Sequence, residues 1–442
     1  MSAFTASRIV SAAVAVCLVG LALNLAAAIH GVKVATSDDA MVLLGSENPT
    51  VGAANRLADL RIGRFYADFK WTALERVMTL ESDTGRTLVR VGACLLALLA
   101  ASSFLWRATN DAGCGALTLL LGLGFLPVSL GYQPLLSHPL LWIGWAAVWT
   151  AGTVALGKDT PLRRATVAAL LAVACIVHES NLVFVVWPVL IHAWAQRQNE
   201  WRRLLRYAAP SVAVLSVYAA WFWWSRSAAP SGYPGVKPRL DALAVLYADL
   251  IYSLGGLPGI ESWLVRAPDA GAPLFLSPSA WLGAIAARAA VWHLPAVGLM
   301  GAGIWLLLRQ RPATQLKSPL RMGALAGVLI FAVLAPNLIL ATTVKYQGWA
   351  HQRMWPYYYS SMSFLAWIVL GAVALRVGLN TISGRAARLG AKALSVILLM
   401  VAALAVQGAN REAAGLLREH RFDHITDYRQ HFRDLPSRQR RE

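Results

Sequence analysis

Apolar runs of about 20 residues recur from one end of the chain to the other, and they constrain the fold more than any other feature. A helix of this length crosses the hydrocarbon core of a bilayer, which is about 30 Å thick. Only 14% of the 442 residues are charged, well below the roughly 25% of a soluble domain. The sequence therefore predicts an all-α polytopic membrane protein without a separate soluble domain.

The runs predict about eleven transmembrane helices. Together they form a single transmembrane domain over residues 1–408, followed by a basic tail at residues 409–442. The first run is long enough to span, and no clear small-residue cleavage site follows it, so we interpret it as a span rather than a signal peptide. The predicted spans are residues 8–29, 88–106, 113–132, 135–156, 165–178, 181–196, 207–225, 288–308, 322–341, 357–375 and 389–408.

Basic residues predict the orientation, because Lys and Arg concentrate in cytoplasmic loops. They cluster after every second span, which places both the N-terminus and these short loops in the cytoplasm, and the C-terminus outside. The long connections at residues 30–87 and 226–287, and the aromatic-rich segment 342–356, then lie outside. Since binding groups concentrate on loops held by a scaffold, we expect the working face to be outside. The clusters are Arg107; Lys158, Arg163 and Arg164; Arg197, Arg202, Arg203 and Arg206; Arg309, Arg311, Lys317 and Arg321; and Arg376, Arg385 and Arg388.

The formal net charge of +18 does not indicate nucleic-acid binding. Many basic residues lie in short loops, where they act as topology signals and contact anionic membrane lipids, and no recognition module is visible. The four cysteines lack metal-like spacing and are interpreted as buried apolar side chains. Walker A, HExxH and GxSxG motifs do not occur, and the spans carry no chain of acidic and basic residues. These features disfavour an ATPase, a metalloprotease, a lipase and a proton-coupled carrier.

Two adjacent carboxylates, Asp38 and Asp39, follow the first span in the motif "SDDA". Ser37 can begin a short helix there, and the aspartates would then complement the helix dipole, worth about 0.3–1 kcal/mol each. Alternatively, one is a general base or a metal ligand at the membrane surface. Because adjacent helical side chains point about 100° apart, one carboxylate would act and the other would brace it.

The first outer loop also carries Arg64, in a segment that could form an interfacial amphipathic helix. Its guanidinium could instead grip a phosphate, because its fork matches phosphate oxygens. His178 and Glu179 form the tip of a short hairpin over residues 165–196. They either lie in an exposed turn or are functional groups at membrane depth.

Lys345, His351 and Arg353 follow the ninth predicted span among several Trp and Tyr residues. One interpretation is an interfacial aromatic belt with cationic side chains that extend to the surface. The other is a site for a phosphorylated lipid or a sugar.

The order of three motifs resembles the GT-C superfamily of polyprenyl-phosphate-sugar-dependent glycosyltransferases. "SDDA" opens the first outer loop, "GRF" follows about two dozen residues later, and "HES" marks a mid-chain hairpin tip. Within the superfamily, the chain is most similar to bacterial O-antigen glucosyltransferases and related integral membrane transferases. His178 departs from the pattern, because relatives often have Lys or Tyr there. From residue 200 onward the resemblance rests on topology alone.

The resemblance implies a GT-C-like fold, in which the extracytoplasmic loops are helical. It implies that Asp38 or Asp39 is the catalytic base, with Arg64, Glu179 and Arg353 near the donor phosphate or the acceptor. It implies an inverting hexosyltransferase of the bacterial inner membrane, which moves a sugar from a polyprenyl-phosphate donor to a glycan or lipid acceptor on the outer face. Such a protein serves lipopolysaccharide or other polysaccharide synthesis. Mg²⁺ or Mn²⁺, held by the aspartates, is a possible cofactor.

The loops favour a lipid-linked donor independently, because the short cytoplasmic loops leave no room for a soluble nucleotide-sugar fold. Two alternatives stay open. A polysaccharide polymerase also has many spans and large outer loops. A non-enzymatic transporter of lipid-linked glycans would have polar residues or helix breaks in mid-membrane, and the breaks that the spans offer are Pro127, Pro188, Pro295 and Pro336.

Overall fold

A computed structural model describes most of the chain, and the described part is almost entirely helical. The side chain of Asp38 and a few other helical side chains are not part of this description. The described residues are 3–34, 37–61, 73, 76–77, 80–128, 135–196, 201–228, 237–265, 274–288, 291, 293–310, 319–351 and 357–419.

The first half of the chain forms nine α-helices and one 3₁₀ helix within the described residues. The elements are α1 (Ala3–Ile29), α2 (Ser37–Glu47), α3 (Pro49–Arg61), α4 (Asp83–Thr109), α5 (Ala112–Phe125), α6 (Pro139–Ala155), α7 (Pro161–Val177), the 3₁₀ helix Glu179–Val186, α8 (Trp187–Gln196) and α9 (Trp201–Ala228).

The second half contains further helices, including α10 and α11 within the predicted outer connection 226–287. A two-residue strand, β1 (Leu264–Val265), pairs antiparallel with β2 (Leu274–Phe275). The helices are α10 (Ala242–Leu254), the 3₁₀ helix Ile260–Trp263, α11 (Pro278–Arg288), α12 (His293–Arg309), α13 (Pro319–Ala341), α14 (Val344–His351), α15 (Tyr357–Thr381) and α16 (Arg385–Glu419). The last helix thus extends eleven residues into the segment that we predicted as a tail.

Short polar side chains begin several of these helices. The side chains of Ser82, Asp111 and Asp241 each accept a hydrogen bond from a backbone N–H of the first turn that follows. Thr160 does the same, and Pro161 occupies the first helical position, where its missing N–H is not needed. Local sequence therefore fixes where these helices begin, before any tertiary contact forms.

Five helices in the described part of the chain are long and apolar enough to cross a membrane, and a bent pair, α11 with α12, raises the number to six. This confirms an all-helical protein with several membrane-capable helices, whereas the predicted count of about eleven spans is not confirmed. Four other apolar helical segments are shorter, with 10–17 residues. The five helices are Ile9–Ile29, Asp83–Thr109, Met322–Ala341, Ser360–Thr381 and Arg385–Glu419.

At one end of the bundle, polar side chains join helices that are far apart in sequence. Asn24 in α1 donates to Gln407 in α16 over 2.7 Å. Asn410, one turn further along α16, donates to the carbonyl oxygen of Leu126 and accepts from the N–H of Val128, just beyond α5. The late parts of α1, α5 and α16 therefore meet at the same end.

The last helix, α16, contains 35 residues and is about 52 Å long, well beyond the roughly 30 Å of a hydrocarbon core. Near its C-terminal end, the Arg418 guanidinium donates to the carbonyl oxygens of Ala28 and His30 at the end of α1. The first and last described helices are thus bonded to each other near their C-terminal ends.

The opposite end of the bundle is closed by a buried ion pair. Arg376 in α15 is 1% exposed and contacts both carboxylate oxygens of Asp111, at 3.1 and 3.3 Å. Its guanidinium also donates to the carbonyl oxygens of Leu307 and Gln310 at the end of α12. Lys392 in α16 donates to the neighbouring carbonyl of Leu308. The Arg376 cluster, meaning Asp111, Arg376 and Lys392, therefore satisfies the unpaired carbonyls of a helix C-terminus.

Candidate functional site

The acidic motif lies on a short helix that begins at Ser37, as predicted. Asp39 is only 1% exposed. Its Oδ2 accepts a hydrogen bond of 3.0 Å from the hydroxyl of Ser137, which lies just before α6. The first outer segment is thus joined to the start of α6 through a carboxylate and a hydroxyl.

A guanidinium lies beside this carboxylate. Arg90, in the second turn of α4, is fully buried and interacts electrostatically with Asp39. It also donates to the carbonyl oxygens of Val32 and Lys33, directly after α1. Arg90 therefore connects the end of α1, the start of α4 and the acidic helix α2.

Arg86 precedes Arg90 by one helical turn, so both arginines lie on the same face of α4. Arg86 is also buried, donates to the carbonyl oxygen of Leu80 and forms an ion pair with Asp83. Sequence analysis did not single out either arginine, because both fall at the edge of an apolar run, where basic residues usually flank a span. The four-residue spacing was the signal that could have found them.

His138 is the third group that sequence analysis missed. It is buried, follows Ser137 and immediately precedes α6. A buried imidazole therefore immediately precedes the first turn of α6. We call Asp39, Arg86, Arg90 and Ser137 the Asp39 cluster.

The predicted "HES" tip forms a buried turn. His178 is 1% exposed, and its Nδ1 accepts from the N–H of Ser180 over 3.1 Å. A neutral imidazole with Nδ1 accepting carries its proton on Nε2, and Nε2 lies 3.7 Å from an oxygen of Glu179, whose side chain is 22% exposed. The turn thus presents a partly exposed carboxylate next to a buried imidazole.

The next residue, Asn181, anchors this turn against α6. Its amide donates to the carbonyl oxygen of Ala174 over 2.9 Å and packs so closely on Gly144 that a Cβ there would lie 3.1 Å away. Gly144 follows His138 by six residues, about 9 Å along the helix axis. The HES turn and the Asp39 cluster therefore flank the first two turns of α6 at the same end of the bundle.

Lys345 and His351 lie on α14 and contact aromatic rings. The Lys345 ammonium lies 4.4 Å from the ring centre of Trp349 and 5.5 Å from that of Tyr346. The exposed His351 stacks on Tyr247 of α10, with ring centres 5.4 Å apart. None of these contacts involves the Asp39 cluster, and the choice between an aromatic belt and a lipid or sugar site stays a prediction.

A further carboxylate, Asp249 on α10, was also missed. It is 6% exposed, and its Oδ1 has no hydrogen-bond partner among the described residues. Burial raises the pKa of this carboxyl group to about 7. One turn further along α10, Ser253 accepts from Asn337 of α13, which also donates to Ser363 of α15. Hydrogen bonds between these polar side chains thus join α10, α13 and α15.

Two predicted site residues, Arg64 and Arg353, lie outside the described residues, as does the side chain of Asp38. Their roles stay predictions.

No family model, curated protein or solved structure matches this chain. The case for a function therefore rests on the residues and their arrangement.

The sequence also predicted a possible Mg²⁺ or Mn²⁺ site at the two aspartates. Within the described part of the chain, no group of three or more His, Cys, Asp or Glu side chains could hold a metal ion. Asp39 has a hydroxyl and a guanidinium next to it, while the side chain of Asp38 lies outside the described residues. The metal site therefore stays a prediction, and no step proposed below uses one.

Proposed function

We propose that this protein is an inverting GT-C-type glycosyltransferase that moves a hexose from a polyprenyl-phosphate donor to a glycan or lipid acceptor. The observation that carries the proposal is the Asp39 cluster, in which a carboxylate, a guanidinium and a hydroxyl meet where several helices end. The HES turn lies at the same end of the bundle. This combination supports chemistry at a membrane surface better than it supports a purely structural helix start.

Each group has a chemical role in the proposed transfer. The acceptor hydroxyl loses its proton to a carboxylate as its oxygen bonds to C1 of the sugar. The bond from C1 to the phosphate oxygen breaks, and the polyprenyl phosphate leaves with the negative charge. A guanidinium stabilises that charge, because its fork matches phosphate oxygens. Asp39 is the better-supported base, while Asp38 remains the alternative, and Arg90 and Arg86 are the nearest described cations.

The burial of Asp39 sets a condition on this mechanism. At 1% exposure, the carboxylate cannot meet an acceptor until the groups that cover it move. The Ser137 hydroxyl bonds to Asp39 in the closed arrangement, and a sugar hydroxyl would replace it in the open one. In this proposal, the Ser137 hydroxyl occupies the position that the acceptor hydroxyl takes during transfer.

The decisive experiment compares Asp38→Asn and Asp39→Asn by sugar transfer from a polyprenyl-phosphate donor. Loss of the base lowers the rate about 10²–10⁴-fold, whereas loss of a helix-start charge costs under about 1 kcal/mol and spares the rate. Asp241→Asn is the matched control, since Asp241 begins α10 and accepts from two backbone N–H groups. All variants must unfold at matched temperatures.

We expect a large loss at one aspartate and a small loss at the other and at Asp241. If both variants of the acidic motif stay within a few-fold of the parent protein, the motif only begins a helix and the assignment is abandoned. A parent protein that makes polymer but transfers no single sugar would favour the polymerase. One that moves the lipid-linked glycan across vesicles would favour the transporter.

We further propose that the Asp39 end faces the periplasm of a bacterial inner membrane. Labelling with an impermeant maleimide tests this, after the four buried cysteines are replaced by alanine. Glu81→Cys lies near the Asp39 end and should react in intact cells. Lys158→Cys lies at the opposite end of α6 and should react only after lysis. The reverse pattern would move the site to the cytoplasmic face and exclude a lipid-linked donor presented outside.

A further inference from the structure

An apolar groove opens between α15 and α16. These helices follow each other directly, joined by residues 382–384, but α15 packs mainly on α13 and α5 while α16 packs mainly on α12. The space between them has a volume of about 560 Å³ and is open on one side. Leu121 and Phe125 of α5 form its floor, and Leu399 and Ala402 of α16 form one wall.

The groove matches the length of a lipid chain. On α15 its wall runs from Trp367 to Leu379, about 18 Å along the helix. One leaflet of the hydrocarbon core is about 15 Å deep, half of roughly 30 Å. Both flanking helices are among the five that can cross a membrane. An acyl chain from one leaflet can therefore lie within the groove over its whole depth.

Small residues on α15 give the groove its width. Gly371, Ala374 and Gly378 follow one another at helical spacing along the wall. A Cβ built at Gly371 or Gly378 would meet no atom within 4 Å. Both positions therefore have room for a Cβ, and larger side chains there would project into the groove.

Positive charge lies at one end of the groove. Arg388 donates from Nε and Nη2 to the carbonyl oxygen of Ile382, a groove residue just beyond α15, over 3.0 and 2.9 Å. Arg385 lies one turn earlier on α16 and is exposed. Both arginines follow the span Ser360–Thr381 and lie in the first turn of the candidate span Arg385–Glu419.

We propose that this groove binds one anionic phospholipid, with an acyl chain between α15 and α16 and its phosphate on Arg385 and Arg388. The positive end of the groove selects an anionic headgroup over a zwitterionic one, because a net negative charge gains more from two guanidinium groups. The inference depends on the membrane-spanning helices and is independent of the proposed glycosyltransferase activity.

The test is a lipid titration of the delipidated full-length protein, followed by native mass spectrometry. Phosphatidylglycerol is compared with phosphatidylcholine of identical chains. We expect the first phosphatidylglycerol to bind at least about tenfold more tightly, a difference of about 1.4 kcal/mol. Gly371→Leu with Gly378→Leu should abolish this preference, and Arg385→Gln should weaken phosphatidylglycerol binding several-fold.

Gly327→Leu on α13 is the matched control, because a Cβ there also meets no atom within 4 Å and the position is exposed on a membrane-capable helix. It should leave lipid binding unchanged. Leu favours a helix over Gly, so thermal unfolding should not fall in any glycine variant. Equal retention of the two lipids, or unchanged phosphatidylglycerol binding in the double variant, overturns the proposal. A preference of the groove for polyprenyl phosphate over phosphatidylglycerol would also overturn the proposal.

Discussion

At the Arg376 end of the bundle, a guanidinium and a carboxylate 265 positions apart in the chain form two hydrogen bonds to each other. At the Asp39 end, the carboxylate accepts a hydrogen bond from a serine hydroxyl and interacts electrostatically with Arg90, which also donates to two backbone carbonyls. Charged pairs with two parallel bonds are strong and directional, whereas a bond to one hydroxyl can be exchanged for a bond to another. One end therefore joins helices through a charged pair with two bonds, and the other holds a carboxylate that already bonds a hydroxyl.

The largest effect should follow from breaking the Arg376–Asp111 pair. Arg376→Met leaves a buried carboxylate without its cation, and the loss of one partner of a buried pair costs about 3–5 kcal/mol of unfolding free energy. Denaturant titration in detergent micelles measures this. Arg164→Met is the control, since its pair with Asp159 over 3.3 Å is partly exposed and should be worth at most about 1 kcal/mol. Equal losses of unfolding free energy in the two variants would show that the Arg376–Asp111 pair stabilises the fold no more than a partly exposed pair does.

The next largest effect is expected at Asp249, as a dependence of the free energy of unfolding on pH. Its pKa is raised from 3.8 to about 7 in the folded protein, so between these values the folded state holds a proton that the unfolded state lacks. The free energy of unfolding then falls by about 1.4 kcal/mol per pH unit as the pH rises through this window. Thermal unfolding across the window checks this. Asp249→Asn should flatten the profile, and an unchanged slope would assign the dependence to other groups.

A smaller loss is expected from Ser137→Ala, which removes the hydroxyl bonded to Asp39. Hydrogen bonds to charged groups contribute about 1.5–3 kcal/mol. Ser102→Ala removes a hydroxyl bonded to a neutral carbonyl over 2.9 Å, and should cost about 0.5–1.5 kcal/mol. If Asp39 is the base, Ser137→Ala should keep or raise the transfer rate despite the lower stability. A rate loss as large as that of Asp39→Asn would instead make Ser137 part of the chemistry.

The smallest effect concerns Lys345, outside both clusters. Its ammonium faces the rings of Tyr346 and Trp349, and such contacts contribute about 0.5–1 kcal/mol at exposed sites. Lys345→Met should lose this amount in denaturant titration, while Lys345→Arg should retain it. A loss of sugar transfer without a loss of stability would favour the lipid- or sugar-binding interpretation of this segment over the aromatic belt.

Local signals in the sequence predicted the helices well and the charged clusters poorly. The helix that begins at Ser37 and the helical character of the apolar runs follow from capping residues and composition, which act over a few positions. The membrane depth of each helix depends on its neighbours, so the count of about eleven spans could not be fixed this way. Helix α10 lies within the connection 226–287, for which we expected helical structure but could not assign bounds from the sequence.

The partners of the buried charged residues could not be predicted from the sequence either. Arg376 was assigned to a cytoplasmic loop from its flanking position, but it lies 1% exposed against a carboxylate from a distant helix. Arg90 and His138 likewise acquire their surroundings only when α1, α2, α4 and α6 assemble. A single sequence states that a residue is charged, but its partner is determined by tertiary packing.

The contact between α1 and α16 has a consequence for biogenesis. Asn24 is made among the first residues of the chain, but its partner Gln407 leaves the ribosome only after almost the whole protein has been synthesised. During that interval α1 must remain in the membrane with an amide that has no permanent partner, held by temporary contacts or by the insertion machinery. Closure of the bundle is therefore a late event, and the final helix completes the environment of the first.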